Sequence, residues 1–423
     1  MNVDLHSSRD RDRRERMGAL LDRQRPRHSL DQAFYVDPEI FALDIELIIE
    51  RHWHLVAFEC ELPEPGSFMT AQIARSSVIV CRDRSGQLRA FYNSCRHRGS
   101  AICDAPSGRR STFLCPYHHW SYDLTGALLR APNMGDDLDK RAYGLRPLHL
   151  RTIEGLIFVS LAEQPPDIAH FAATLSPALA PHRLARARVV EEIVLHEQAN
   201  WKLVWENSRE CDHCAGGHPE LMRTLLHFNL EDPWSDPYIR SFWDRCEGSG
   251  LPSTTREGHG FRVGRLPLRP DQLSITLDGE PACRRRLGDW QSQDIGSLRF
   301  ARFPSLFSHV HADYAIFVSV MPVGPQETRV TCKWLVHADA VEGRDYNREH
   351  LLHVWRETND QDRRFCERNQ RGINSKGYQP GPYAQPSEHG VWTFVDWYRS
   401  ELESALRGSS ARMSEANGMQ AAG

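Results

Sequence analysis

The chain has 423 residues, 40% of them hydrophobic and 26% charged, with a formal net charge of −4. That is an ordinary globular composition, long enough for two or three domains around a sizeable core. The charge excludes the basic footprint of a nucleic-acid binder, no apolar run reaches the ~18 residues of a membrane span, and the charged start is not signal-like, so a cytoplasmic location is expected.

Residues 1–29 are rich in Arg and Asp and read as a disordered basic arm. A helical segment is expected over 30–54. Asp37 is placed to cap it, Pro38 to be its first residue, and Phe41, Ile45, Ile48, Ile49 and Trp53 recur at helical spacing. From 55 to 165 the pattern turns to short alternating runs with turn signals. Strands are expected at 77–81, 88–92 and 155–160, making a small antiparallel β-domain that ends at Pro165-Pro166.

From 166 to 405 strands and helices mix without βαβ regularity, with strands expected near 193–195, 315–321 and 329–337 and a long helix over 347–370. The fold class is therefore α+β, an all-β domain followed by a domain built on an antiparallel sheet. Residues 406–423 read as a disordered tail. The 11 cysteines, in a chain without a secretory signal, are expected to stay reduced or to bind metal.

Two constellations carry chemistry. In the β-domain Cys95-Arg-His97 is followed, seventeen residues later, by Cys115-Pro-Tyr-His118. Paired C-x-H and C-x2-H loops supply the two thiolates and two imidazoles of a Rieske [2Fe-2S] centre. A structural zinc site is the alternative, although zinc fingers usually pair Cys with Cys and His with His. His119 sits off the spacing and is expected to point away. Respiratory-type Rieske proteins often add a disulfide between these loops, and the corresponding positions here hold Ser100 and Tyr117, so that bridge cannot form.

The second constellation lies in NWKLVWENSRECDHCAGGHPEL, where Glu210, His213 and His218 follow acid-x2-His-x4-His spacing. Two imidazoles and one later carboxylate would make a facial triad for ferrous iron. The plain alternative is a pair of surface histidines. Leu351, Trp355, Thr358, Asp362 and Cys366 share one helical face, and an aspartate on such a stripe needs a partner or a metal. Asp362 is thus expected as third ligand, with an inward ion pair as the alternative.

Together these residues resemble the α-type oxygenase component of the Rieske non-haem iron oxygenases. The likeness is greatest to the branch that demethylates glycine betaine and proline betaine. FYNSCRHRGS, CPYHHWSYDLTG, ANWKLVWENSRECDHC with GGHPEL, KWLVHADAVEGRDY and NDQDRRFCERNQRGINSKGYQPGPY carry the resemblance. It implies a Rieske domain, a helix-grip catalytic domain, a homotrimer in which one subunit's cluster feeds its neighbour's iron, and Glu210 as the acid linking the centres. Asp212 stands where Tyr is often found, which leaves open which acid makes that link. The resemblance also implies a separate ferredoxin or flavin reductase supplying NAD(P)H electrons, since no flavin or nicotinamide motif is present.

The substrate expected is a small quaternary ammonium compound, oxidised at an N-methyl carbon with release of formaldehyde. Phe228, Trp234, Tyr238 and Phe307, with Trp392, are candidate aromatic faces for its cation, and Arg302 or His309 for a carboxylate. An aromatic ring-hydroxylating dioxygenase α subunit and a pure electron-transfer Rieske protein are the rival readings.

Overall fold

The computed structural model describes residues 2–226, 236–385 and 387–420. Asp37 caps the helix Pro38–Asp44 by accepting from the amides of Glu39 (2.8 Å) and Ile40 (3.4 Å), with Pro38 in the first turn. Ile45–Ile49 continues it as a π-helical turn, burying Leu47, Ile48 and Ile49.

The Rieske half is three small antiparallel sheets. One runs Leu88–Tyr92, Ser76–Arg82, Ser67–Ile73, Ser107–Arg109. Phe113–Leu114, Ser121–Tyr122 and Leu128–Arg130 form a second, and His54–Phe58, Leu156–Ser160 and His149–Ile153 a third. Phe68, Phe91, Phe113, Trp120 and Tyr122 fill the core beneath the Cys–His loops.

The catalytic half is a seven-stranded antiparallel sheet in the order Ala187–Glu197, Glu327–His337, Tyr314–Gly324, Leu306–Val310, Ser297–Arg302, Phe261–Leu266, Arg256–Gly258. Alternation decides its two faces. Leu298, Phe300, Ala315, Phe317 and Leu335 pack with Phe171 and Leu175 of the helix Ala169–Leu179. Ala301, Ile316, Val318, Val330 and Cys332 face the helices Trp201–Ser208 and Arg348–Ile373 on the other side. The functional cavity lies on that second side.

Two expectations are overturned at the ends. In place of a disordered arm over 1–29, Asn2–Arg23 is a helix packed on the helices Pro38–Asp44 and His389–Gln420. Met17, Leu20 and Leu21 form a buried stripe at helical spacing, and Arg13 and Arg14 reach Glu46. A bias toward Arg and Asp hid those three apolar anchors. The expected tail after 405 instead continues the helix His389–Gln420, consistent with the helix preference of its Ala, Met, Arg and Glu residues. Among the described residues no helix is long and apolar enough to cross a membrane.

An ion pair ties the amino-terminal segment to the catalytic half. Asp44 and Lys202, both fully buried, pair with each other, and Asp44 also accepts from Trp201 Nε1 (3.1 Å) and the Tyr398 hydroxyl (2.6 Å). Close by, Glu206 accepts from Tyr35 (2.7 Å) and Tyr383 (3.1 Å).

Candidate functional site

The helix Trp201–Ser208 is capped by Asn200, whose side chain accepts from Lys202 N at 3.0 Å. It ends at Arg209, and the chain then turns through Glu210 to His213, a short helix Cys214–Gly217, and His218. Gly217 is required by close approach: a Cβ there would lie 2.6 Å from the Phe365 ring, which packs against both imidazoles.

Asp362 arrives from the long helix, on the stripe with the buried Leu351, Trp355, Thr358 and Cys366. Its Oδ1 lies 3.3 Å from His213 Nε2 and 3.0 Å from His218 Nε2, and the two Nε2 atoms are 3.0 Å apart. The outer nitrogens decide the tautomers. His213 Nδ1 faces the Glu210 carboxylate, which can only accept. His218 Nδ1 faces the Gln361 carbonyl at 2.8 Å, while the Gln361 amide donates to Glu220 at 2.8 Å. Both rings therefore keep a proton at Nδ1, which leaves each Nε2 either to carry a second proton toward the Asp362 oxygen or to give its lone pair to a metal.

Three electron pairs at such separations repel unless a cation sits among them, and the spacing suits ligands about 2.1 Å from one metal. The same demand for positive charge shows in the proton affinities. Burial opposes charging His213, yet Asp362 and Glu210 outweigh it and hold its pKa up at about 9. For Asp362, burial raises the pKa but hydrogen bonds from His213 and His218 bring it below the usual carboxylate range. The donor set fits a mononuclear metal. The neighbours Asp360, Arg363, Arg364 and Glu367 pair among themselves on the outer side.

Sequence reasoning missed two supports. Asn207 donates to Asp362 Oδ1 at 2.7 Å, and Gln361 orients His218. The cysteine expectation also needs correcting here. Cys211 and Cys214 form a disulfide, their Cα atoms 4.9 Å apart across the turn. Cys214, whose sulfur lies within 4.8 Å of the imidazole nitrogens, is thereby committed elsewhere than to a metal. Asp212 is exposed and takes a 2.6 Å hydrogen bond from Ser387, whereas the Glu210 carboxylate touches the imidazole.

In the β-domain, Cys95 and Cys115 are buried free thiols, and the Tyr122 hydroxyl lies 3.3 Å from Cys95 Sγ. The His97 and His118 rings are 4.5 Å apart at their centres, and His97 stacks on Trp120. His97 Nδ1 is buried with no protein partner, an orphan that a metal ligand bond would satisfy. His119 turns outward at φ 60° and is exposed. The four side chains fit a Cys2His2 cluster.

A cavity of 740 Å³ opens on the His213–His218–Asp362 face. Phe307, His309 and Trp392 line it, as does Trp355 of the Asp362 stripe, and so do Arg299 and Glu197, which the sequence reading did not single out. Burial, with the charge of Asp362, lifts Glu197 to about 8. Tyr238 does not belong to the lining; it is 41% exposed and its hydroxyl bonds Leu268 O at 3.0 Å. Arg302 leaves the opposite face of its strand and lies 5.3 Å over the Phe171 ring. Phe228 and Trp234 fall outside the described residues.

A cluster-bearing β-domain joined to a helix-covered sheet with a two-His, one-carboxylate cavity defines the oxygenase component of a Rieske non-haem iron system. Residues 184–404 match the family described as ring hydroxylating alpha subunit (catalytic domain), and residues 52–152 match the Rieske [2Fe-2S] domain, so the chain belongs to that family. The zinc alternative falls with the second match.

The chain is 44% identical over 400 residues to the glycine betaine monooxygenase oxygenase subunit of Chromohalobacter salexigens, covering 93% of this chain and 90% of that protein. It is 42% identical over 397 residues to the protein of the same name from Pseudomonas aeruginosa strain UCBPP-PA14, covering 92% of each. The crystal structure of the quaternary ammonium Rieske monooxygenase CntA with L-carnitine shares the fold, with a TM-score of 0.70 at 20% identity, covering 90% of this chain and 97% of that one.

Proposed function

We propose that this chain is the terminal oxygenase of a monooxygenase that N-demethylates a quaternary ammonium betaine of the glycine betaine or proline betaine class. The convergence of His213 Nε2, His218 Nε2 and Asp362 Oδ1 on one side of an aromatic-lined cavity carries the reading. The 44% identity to a glycine betaine monooxygenase subunit supports the choice of substrate. Cys95, His97, Cys115 and His118 would hold the cluster, and His213, His218 and Asp362 the iron. Iron held there supplies the activation of dioxygen, using two electrons delivered singly from the cluster.

A quaternary nitrogen has no lone pair, so oxidation begins at a methyl carbon. One oxygen atom enters the C–H bond and the other leaves as water with two electrons and two protons. The N-hydroxymethyl product then breaks its C–N bond, giving formaldehyde, a proton and the tertiary amine. The residues of this chain position the methyl group and exclude water. Phe307, Trp355 and Trp392 offer ring faces to the cation, worth about 0.5–2 kcal/mol each. Glu210, on the outer nitrogen of His213, is the acid that would link the iron to a neighbouring subunit's cluster in a homotrimer. The reducing equivalents come from NAD(P)H through a separate reductase.

The test is formaldehyde release across a panel of betaines, with a surrogate reductase and NAD(P)H. His213→Ala should keep the Rieske absorbance and lose product. Formaldehyde from none of the betaines, or undiminished turnover in His213→Ala, refutes the reading.

A further inference from the structure

Four arginines line the cavity, and three have company. Arg27 stacks 5.4 Å over Trp392, Arg209 lies 5.9 Å over the Phe303 ring although its Nε is also buried without a hydrogen-bond partner, and Arg262 pairs with Glu257 at 3.3 Å. Arg299 differs. Its Nε and one terminal nitrogen are buried without a hydrogen-bond partner, and among the described residues no carboxylate pairs with it. A guanidinium cannot shed its charge by deprotonating, so such a site is costly unless an anion enters.

Its position is set by the sheet. Arg299 and His309 are directly opposed on neighbouring strands, so their side chains leave the same face. The His309 ring lies 4.4 Å from that of Trp355. Trp355 and Asp362 are two turns apart on one helix, about 10 Å along its axis. Phe307, two residues before His309 and so on the same strand face, also lines the cavity, its ring 5.8 Å from Trp205. The cavity thus runs from the His–His–Asp triad, past aromatic faces, to an unpaired cation.

We infer that Arg299 is the anchor for the substrate carboxylate and makes the cavity selective for N-methyl ammonium carboxylates over N-methyl ammonium alcohols. The inference rests on the demethylase reading above. An extended betaine spans about 4 Å from methyl carbon to carboxylate carbon, close to the ~3.8 Å that three backbone bonds cover. With about 3 Å of contact at each end, its reach is about 10 Å, comparable with the two-turn rise from Asp362 to Trp355, whose ring meets the His309 opposite Arg299. A planar guanidinium also matches the carboxylate's two oxygens. Arg302, three positions on, cannot serve, because an odd step puts it on the other face.

The test compares glycine betaine with choline, which carries a hydroxyl in place of the carboxylate. Binding to the anaerobic holoenzyme is measured by calorimetry, and kcat and KM by formaldehyde release. Arg299→Gln should weaken betaine binding about 10- to 100-fold, the range of a lost charge-assisted bond, collapsing the betaine-to-choline preference. Arg299→Lys should recover part of it, and an unchanged Rieske spectrum reports intact folding. Equal losses for both ligands, or wild-type enzyme binding choline as tightly as betaine, overturn the anchor while leaving demethylation standing. Formaldehyde from no N-methyl compound refutes the demethylase reading and the anchor with it.

Discussion

Replacing Gln361 with Leu isolates what orients His218, one of the proposed metal ligands. His218 is 1% exposed, and its Nδ1 has the Gln361 carbonyl as partner at 2.8 Å. Leu fills similar space but accepts nothing. The buried N–H then loses its acceptor, which costs about 1–3 kcal/mol. The ring can escape by moving its proton to Nε2, the atom that must stay unprotonated to bind metal, so the cost falls on metal affinity more than on folding. That energy corresponds to an affinity about 10- to 100-fold lower, the range known for partners one step behind a metal ligand. Glu220, the other end of the relay, loses its bond from Gln361 but can turn to solvent. The assay is anaerobic titration of Fe(II) into chelator-stripped protein, with the Rieske absorbance as internal control. Affinity within threefold of wild type, or cluster absorbance lost in parallel, would refute the reasoning.

Asp44→Asn strands the fully buried Lys202 ammonium and should destabilise the protein by about 3–5 kcal/mol in urea unfolding, while the double variant with Lys202→Met regains part of it; a single-variant cost under ~1 kcal/mol contradicts this. Burial pushes Glu206 up to about 7 against the opposing hydrogen bonds from Tyr35 and Tyr383. Its folded pKa exceeds the ordinary 4.5, so the stability it contributes is complete below pH 4.5 and is lost as pH rises through 7. Glu206→Gln should therefore gain on wild type by roughly 3 kcal/mol between pH 4.5 and 8, read from paired unfolding curves; parallel curves would contradict it. Gly217→Ala forces the Phe365 ring against the imidazoles and should lower iron content at unchanged cluster absorbance; Phe365→Leu in the same chain should restore it, and unaltered iron in the single variant would count against the close-approach argument.

The residues that could be read without coordinates are those whose chemistry is spaced locally. Cys95, His97, Cys115 and His118 declare themselves by loop spacing, and His213 and His218 by a five-residue step. Asp362 was reachable because helical periodicity put it on an apolar stripe. Asn207 and Gln361 were not, because a polar residue next to a ligand looks like any other until its partner, 155 and 143 residues away, is known. Arg302 was preferred over Arg299 because sequence does not say which strand face meets the cavity, and one unit of parity reverses the answer. The amino-terminal helix was hidden because composition averages over Met17, Leu20 and Leu21, whose burial depends on a helix nearly 400 residues later.

That last arrangement has a practical side. The first and last helices pack on each other and on the segment that carries Asp44, so the catalytic half is fastened like a clasp with its two hooks at opposite ends of the polypeptide. An affinity tag or a trimmed terminus intended as a neutral convenience would pry at Leu20, Leu21 and the Arg13–Arg14–Glu46 contacts. Purification handles are safer on an exposed inner loop such as 341–344, with Gly343 itself kept because its φ of 79° favours glycine.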